Sequence, residues 1–193
     1  KWTLDDSRFG LLPNTFHVYK STDSVGDKPN IMYYAKVSLK DSEVKFSSDT
    51  SMNRRLTPQQ FYDKNNKPLL VVNAGFFSFA DNRNLNAVVK NKKLVGFNAQ
   101  HIKGTGQDSG LYIHPFYGTF GILRSGEADV AWTLTDSASG KIVASQYPIP
   151  FLKTPNEKLT NKELSSIRSG RFHKWRVETA VGGGPVLVQQ GQV

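Results

Sequence analysis

Apolar residues in this chain come in short runs broken by turn formers, a spacing that suits strands better than long helices. Residues 16–19, 31–39 and 44–46 are rich in Val, Ile, Tyr and Phe and predict strands. Ser, Asp, Gly and Pro in 21–30 predict a loop between the first two. Residues 69–73 form a continuous apolar run ending in Asn73, the pattern of a strand buried on both faces. Further on, 88–90 and 93–97 flank Asn91-Lys92 as a hairpin. Residues 118–123 and 130–135 flank a turn at Ser125-Gly126, and 142–146 follow a turn at Ser139-Gly140. Residues 177–181 and 186–189 flank three glycines, and Gln190-Gly191 begins another turn.

Two helices are predicted by their caps. Thr57-Pro58-Gln59-Gln60 joins a Thr N-cap, Pro at the first helical position and Gln three residues after the cap, with a stop near Asn65-Asn66. Thr160-Asn161-Lys162-Glu163 is a second capping box, its helix carrying Leu164 and Ile167 and ending at Gly170. Many strands and few helices give an α+β class, a β-rich mixed-sheet domain with a few short helices. It is expected as one domain over residues 1–193, with no internal repeat.

Composition removes several classes of chemistry. The 193 residues include no Cys, which excludes a disulfide scaffold, a zinc finger, a thiol nucleophile and an iron–sulfur site. No run approaches the ~18 apolar residues of a membrane helix. The start at Lys1 suggests a processed N-terminus from which an export signal has been removed. The net charge of +9 is concentrated in residues 51–100 and 151–193. No Arg/Lys run interleaves with aromatics there, so nucleic acid is not an expected partner. The charge reads as a solvated basic face or as attraction for an anionic small molecule.

Two segments carry candidate chemistry. In Val71-Val72-Asn73-Ala74-Gly75-Phe76-Phe77, Asn can donate and accept at once, Gly permits close backbone approach, and two aromatics can wall a sugar site. Spacing alone favours the alternative, in which Asn73 caps a strand and both Phe residues are core. In Gly182-Gly183-Gly184-Pro185, successive backbone N–H groups can face an anion, or the glycines can form a tight turn or bulge. No Lys-Ser or Lys-Thr follows, so the segment is no P-loop. Asp81 and Glu178 flank these segments and are the candidate carboxylates, with Asp63 and Asp108 further options. His17, His101, His114 and His173 lack the spacing of metal ligands, so neither a metal nor a cofactor is expected. No Gly-x-Ser-x-Gly elbow occurs.

Read together, the segments carry a family likeness. Asn73-Ala74-Gly75-Phe76-Phe77 resembles the Asn-Gly-Gly-Phe-Phe element of the phosphodiester glycosidase family, which includes enzymes acting on N-acetylglucosamine-1-phosphodiesters. The hairpin at 87–95, the strand at 119–122 and Ala180-Val181-Gly182-Gly183-Gly184-Pro185-Val186-Leu187-Val188 followed by Gly191 are similar in order to that family. The likeness covers about residues 65–193, with residues 1–64 expected to supply strands and a short helix packing on that core. It implies hydrolysis of the sugar C1–O bond of a sugar-1-phosphodiester, releasing the sugar and leaving a phosphomonoester.

By that likeness Phe76 and Phe77 form the sugar platform beside Gly75, and Asn73 contacts a sugar amide or hydroxyl. Gly182, Gly183 and Gly184 receive the anion, Arg83 or Arg176 pairs with phosphate, and Glu178 or Asp81 supplies the carboxylate. It also implies a secreted, periplasmic or lumenal, and so extracytoplasmic, location. The family pattern continues with an Arg-Thr-Ala-Ile-Gly-like strand and an Asp-Gly-Gly-Gly-Ser-like turn, both beyond Val193. The expectation is therefore a C-terminally incomplete chain whose site is finished by a missing segment or a second chain. The alternative is a non-catalytic carbohydrate- or anionic-polymer-binding module.

Overall fold

The computed structural model describes residues 1–148, 151–167, 170–189 and 191–192. It divides into two compact units, Lys1–Phe46 and Ser47–Val193.

The first unit is a three-stranded antiparallel sheet in the order β1 (Thr3–Leu4), β2 (Phe16–Ser21), β3 (Met32–Val37). Phe16 and Val18 are buried on one face, as period-two alternation requires. On the other face Tyr19 lies directly across from Tyr34 and stacks on it at 5.6 Å, and Trp2 approaches Tyr34 at 5.9 Å. The strand expected at 44–46 does not form. Asp41 N–H bonds Ser38 O and Val44 N–H bonds Asp41 O, so the chain turns there instead of extending.

The second unit holds α1 (Pro58–Lys64), β4 (Val88–Lys90), β5 (Lys93–Gly96), β6 (Ile102–Lys103), β7 (Leu111–His114), β8 (Tyr117–Leu123) and β9 (Ala128–Asp136). These are followed by β10 (Lys141–Ser145), β11 (Leu152–Pro155), α2 (Asn161–Ile167), β12 (His173–Lys174) and β13 (Val177–Gly182). Residues 47–64, grouped above with the N-terminal strands, belong to this unit. A seven-stranded sheet runs β12-β10-β9-β8-β13-β4-β5, and a three-stranded sheet runs β11-β7-β6. The β-rich α+β class holds, and every strand pair is antiparallel.

Local chemistry accounts for the elements that formed as expected. In α1 the Thr57 hydroxyl accepts from Gln60 N–H at 3.2 Å and the Gln60 side chain accepts from Thr57 N–H at 2.8 Å. In α2, Glu163 accepts from Thr160 N–H at 2.7 Å and Leu164 is fully buried, worth about 2 kcal/mol. The expected end of α2 crosses residues 168 and 169, which lie outside the described residues, as does Gln190 of the predicted last turn. Asn91 and Lys92 both take positive φ, 49° and 68°, the backbone of a two-residue hairpin turn.

Val89, Ala131, Ala144, Trp175, Val177 and Ala180 make one core cluster on the large sheet. Phe116, Leu134 and Leu164 make a second. Asp49 joins α1 to β4 by accepting from Lys64 at 2.9 Å, Lys90 at 3.0 Å and the Asn65 amide at 3.0 Å.

The run 69–73 departs from expectation. It forms no strand, no backbone hydrogen bond ties it to a neighbour, and Leu69, Leu70 and Val72 are exposed. β13 is flanked by β8 and β4, and the run pairs with no strand among the described residues. Residues 186–189 likewise remain outside the sheet, with one bridge from Gln189 to Gln192.

Candidate functional site

The two singled-out segments meet. A Cβ on Gly75 would lie 3.0 Å from the Gly182 carbonyl oxygen, and a Cβ on Gly182 would lie 2.9 Å from both Ala87 N and Asn86 Cβ. Only glycine at these positions lets the backbones come this close. Asn86 locks the junction. It is 1% exposed, its Oδ1 accepts from Phe76 N–H at 3.0 Å, and its Nδ2 donates to Gly183 O at 3.3 Å. The amide that bridges the motifs is therefore Asn86. Asn73 is exposed and its side chain bonds nothing among the described residues. Asn98 repeats the device one strand away, accepting from Ala87 N–H at 2.7 Å and donating to Thr133 O and Oγ1 at 3.1 Å. Sequence reasoning missed both; the available signal was an amide directly abutting an apolar strand, Asn86 before Ala87-Val88-Val89.

Two of the three glycine N–H groups are taken up by backbone carbonyls. Gly182 N–H bonds Ala87 O at 2.7 Å and Gly183 N–H bonds Gly118 O at 3.1 Å. None of Gly182, Gly183 and Gly184 takes the positive φ from which an anion nest is built. Close packing needs glycine at Gly182 and at Gly118, where a Cβ would stand 2.8 Å from Gly184 O, whereas a Cβ on Gly183 or Gly184 would meet nothing within 4 Å. Beside them lies an open shelf of about 390 Å³ walled by Phe120, Val130, Pro185, Val186 and Val188, with no ionisable side chain.

Glu178 and Arg176 lie at the other end of β13. Glu178 pairs with Lys92 at 3.3 Å and its carbonyl accepts from Lys92 N–H at 2.8 Å. It stands four positions along an extended strand from Gly182, about 13 Å. Arg176 precedes the strand, is exposed, and bonds Arg124 N–H through its carbonyl at 3.1 Å. Neither joins the aromatic segment.

Asp81 and Arg83 do join it. Residues 76–85 fold back on themselves: Leu85 N–H bonds Phe76 O at 3.0 Å, Ser78 N–H bonds Arg83 O at 2.9 Å, and Asn82 N–H bonds Ser78 O at 2.8 Å. This loop holds Phe76, Phe77 and Phe79 in solvent, 60%, 41% and 78% exposed, which overturns the core reading of the Phe pair. Phe77 and Phe79 lie 4.9 Å apart, and the Arg55 guanidinium covers both at 5.9 and 5.5 Å. Arg55 is pinned by Nε to Asn82 Oδ1 at 2.7 Å and by Nη2 to Phe79 O at 3.1 Å. Asp81 pairs with Arg83 Nε at 3.0 Å. A hydrogen bond from Ser78, then the Arg83 backbone and charge, hold the Asp81 carboxyl below its ordinary range, so it is ionised at neutral pH. An ionised carboxylate this weakly basic suits charge stabilisation better than proton donation.

Among the described residues no group of three or more His, Asp or Glu is placed to hold a metal ion. No described helix is long and apolar enough to cross a membrane. No family model, curated protein or solved structure matches the chain.

Proposed function

We propose that this chain is a glycosidase-type hydrolase of sugar-1-phosphodiesters that acts outside the cytoplasm. The observation that carries the reading is the closure of 73–77 onto 180–184 through Gly75, Asn86 and Gly182, with an exposed aromatic loop springing from the junction. Phe76, Phe77 and Phe79 offer ring faces to the C–H groups of a sugar. Asn73, exposed at the foot of the loop, is free to bond a sugar hydroxyl or amide. Water adds to C1 as the C1–O bond breaks, the bridging oxygen leaves on the phosphomonoester, and the second proton of the water passes to solvent or to that phosphate. That leaving group is already a weak base, so little acid assistance is required. Asp81 stabilises the positive charge that builds on the ring, and Arg83 and Arg55 supply donors to the phosphate.

A release assay on a panel of sugar-1-phosphodiesters tests the reading. Free sugar and phosphomonoester in equal amounts are expected, and no release from any member rejects it. A second reading, a non-catalytic carbohydrate- or anionic-polymer-binding module, is favoured by the shelf without ionisable groups and by the engaged N–H groups of Gly182 and Gly183. Binding without turnover selects it, and a steep loss of affinity with salt marks the polymer version.

A further inference from the structure

A group of basic side chains outside both motifs converges on the aromatic loop. Ala99 N–H bonds Leu85 O at 2.8 Å, so the chain leading into β6 runs beside the returning arm of the loop. Carried on in the antiparallel sense of β4 and β5, that pairing would set His101 opposite Arg83. The His101 ring stands edge-on to Tyr112 at 5.6 Å, and Lys158 Nζ lies 5.7 Å above the same Tyr112 ring. Lys103 sits directly across from Tyr112 in the β6–β7 register. His114 lies behind, 6.4 Å from His101 and buried, with its nitrogens on Gln100 O at 2.9 Å and Thr154 Oγ1 at 3.2 Å.

Negative charge is sparse at this place. Asp81 is committed to Arg83 and Asp108 to Lys153, each at 3.0 Å. Glu157, next to Lys158, makes no ion pair with a described residue. Neither Lys158 nor His101 has a carboxylate partner among the described residues.

We propose that Arg83, His101 and Lys158 together bind a phosphate-type oxyanion. Lys158 and His101 both stand against the Tyr112 ring, and Arg83 is steadied by Asp81. Two cations about an imidazole with no acid on it is an unfavourable arrangement that a tetrahedral dianion relieves. Burial, then the charges of Lys158, His114 and Arg83, hold His101 below its ordinary value in the unliganded protein. The anion reverses that balance, so His101 takes up a proton as phosphate binds. The proposal names where the phosphoryl group of the suggested substrate sits and to that extent rests on the reading above. Anion binding is measured without turnover, so the two fail separately.

The test is an NMR pH titration of the histidine ring nitrogens in the whole chain, in sodium chloride and in inorganic phosphate of equal ionic strength. A His101→Gln spectrum assigns the signal. In chloride His101 should titrate below about 6.5. Phosphate should raise its midpoint by about one pH unit. Lys158→Ala should weaken phosphate binding about tenfold and remove most of that rise. A sugar-1-phosphate in place of inorganic phosphate should give the same rise at lower concentration if the anion belongs to a sugar substrate; an equal or higher concentration assigns the site to free phosphate. The proposal is overturned if His101 titrates alike in chloride and phosphate. The wild-type titration decides this even if Lys158→Ala does not fold.

Discussion

Replacing Asn86 with Ala removes the one side chain that ties the aromatic loop to the glycine segment. Two hydrogen bonds are lost, one accepted from Phe76 N–H at 3.0 Å and one donated to Gly183 O at 3.3 Å. Each is worth about 1 kcal/mol net in a protein, and the small void left in a site that is 1% exposed adds to the loss. The expected destabilisation is about 2–3 kcal/mol, read as a lower urea midpoint at unchanged slope. Amide hydrogen exchange localises the effect: Phe76 N–H should lose protection well before the β8–β9 amides, because Asn86 is its only acceptor. Asn86→Asp separates the two bonds, since a carboxylate still accepts from Phe76 but turns repulsive toward Gly183 O. It should be at least as damaging as Ala. A variant with Ala at 86 that unfolds within about 0.5 kcal/mol of wild type, with Phe76 still protected, would refute the idea that this amide builds the junction.

Gly182→Ala should be as disruptive as Asn86→Ala, because its Cβ meets Ala87 N and Asn86 Cβ at 2.9 Å; a thermal melt within a degree or two of wild type contradicts this. For the hydrolase reading, Asp81→Asn should cut sugar release on the order of a hundredfold while Glu178→Gln, held on Lys92 at the far end of β13, leaves it within about twofold. Equal losses reject the assignment. Burial pushes the Asp49 carboxyl up, but Lys64, Lys90 and Asn65 outweigh it and bring it down to about 2 from 3.8. A depressed carboxylate stabilises the fold above its unfolded value and loses that contribution as pH falls from about 4 to about 2. With allowance for solvent screening, about 1 kcal/mol is at stake. Urea midpoints across that range should fall more steeply for wild type than for Asp49→Asn; parallel slopes contradict it.

Turn chemistry was legible because it is local. Asn91-Lys92 set the β4–β5 hairpin and Thr57-Pro58 set α1 without help from the rest of the chain. The run 69–73 was not, because apolarity reports a wish for burial while a strand also needs backbone hydrogen-bond partners, and the run has none among the described residues. The glycines were visible as a site of close approach but not as to what approaches: a neighbouring backbone, not an anion. Glu178 stands four positions from the glycines in sequence, yet an extended strand turns that into about 13 Å. Asn86 escaped notice, and His101 was read only as a lone histidine, because their surroundings come from other segments, Phe76 and Gly183 for one, Tyr112 and Lys158 for the other.

The unpaired apolar run has a consequence for how molecules of this protein behave toward one another. Leu69, Leu70, Val71 and Val72 form an uncharged stretch of high β propensity with unused backbone donors and acceptors, guarded on one side by Lys67-Pro68. A net charge of +9 keeps copies apart while the solvent leaves that charge unscreened. Added salt shortens the reach of the repulsion to about 10 Å at 0.1 M and leaves the contact between exposed leucines untouched. Colloidal stability should therefore decline as ionic strength rises, with strand-to-strand association through 69–72 as the route.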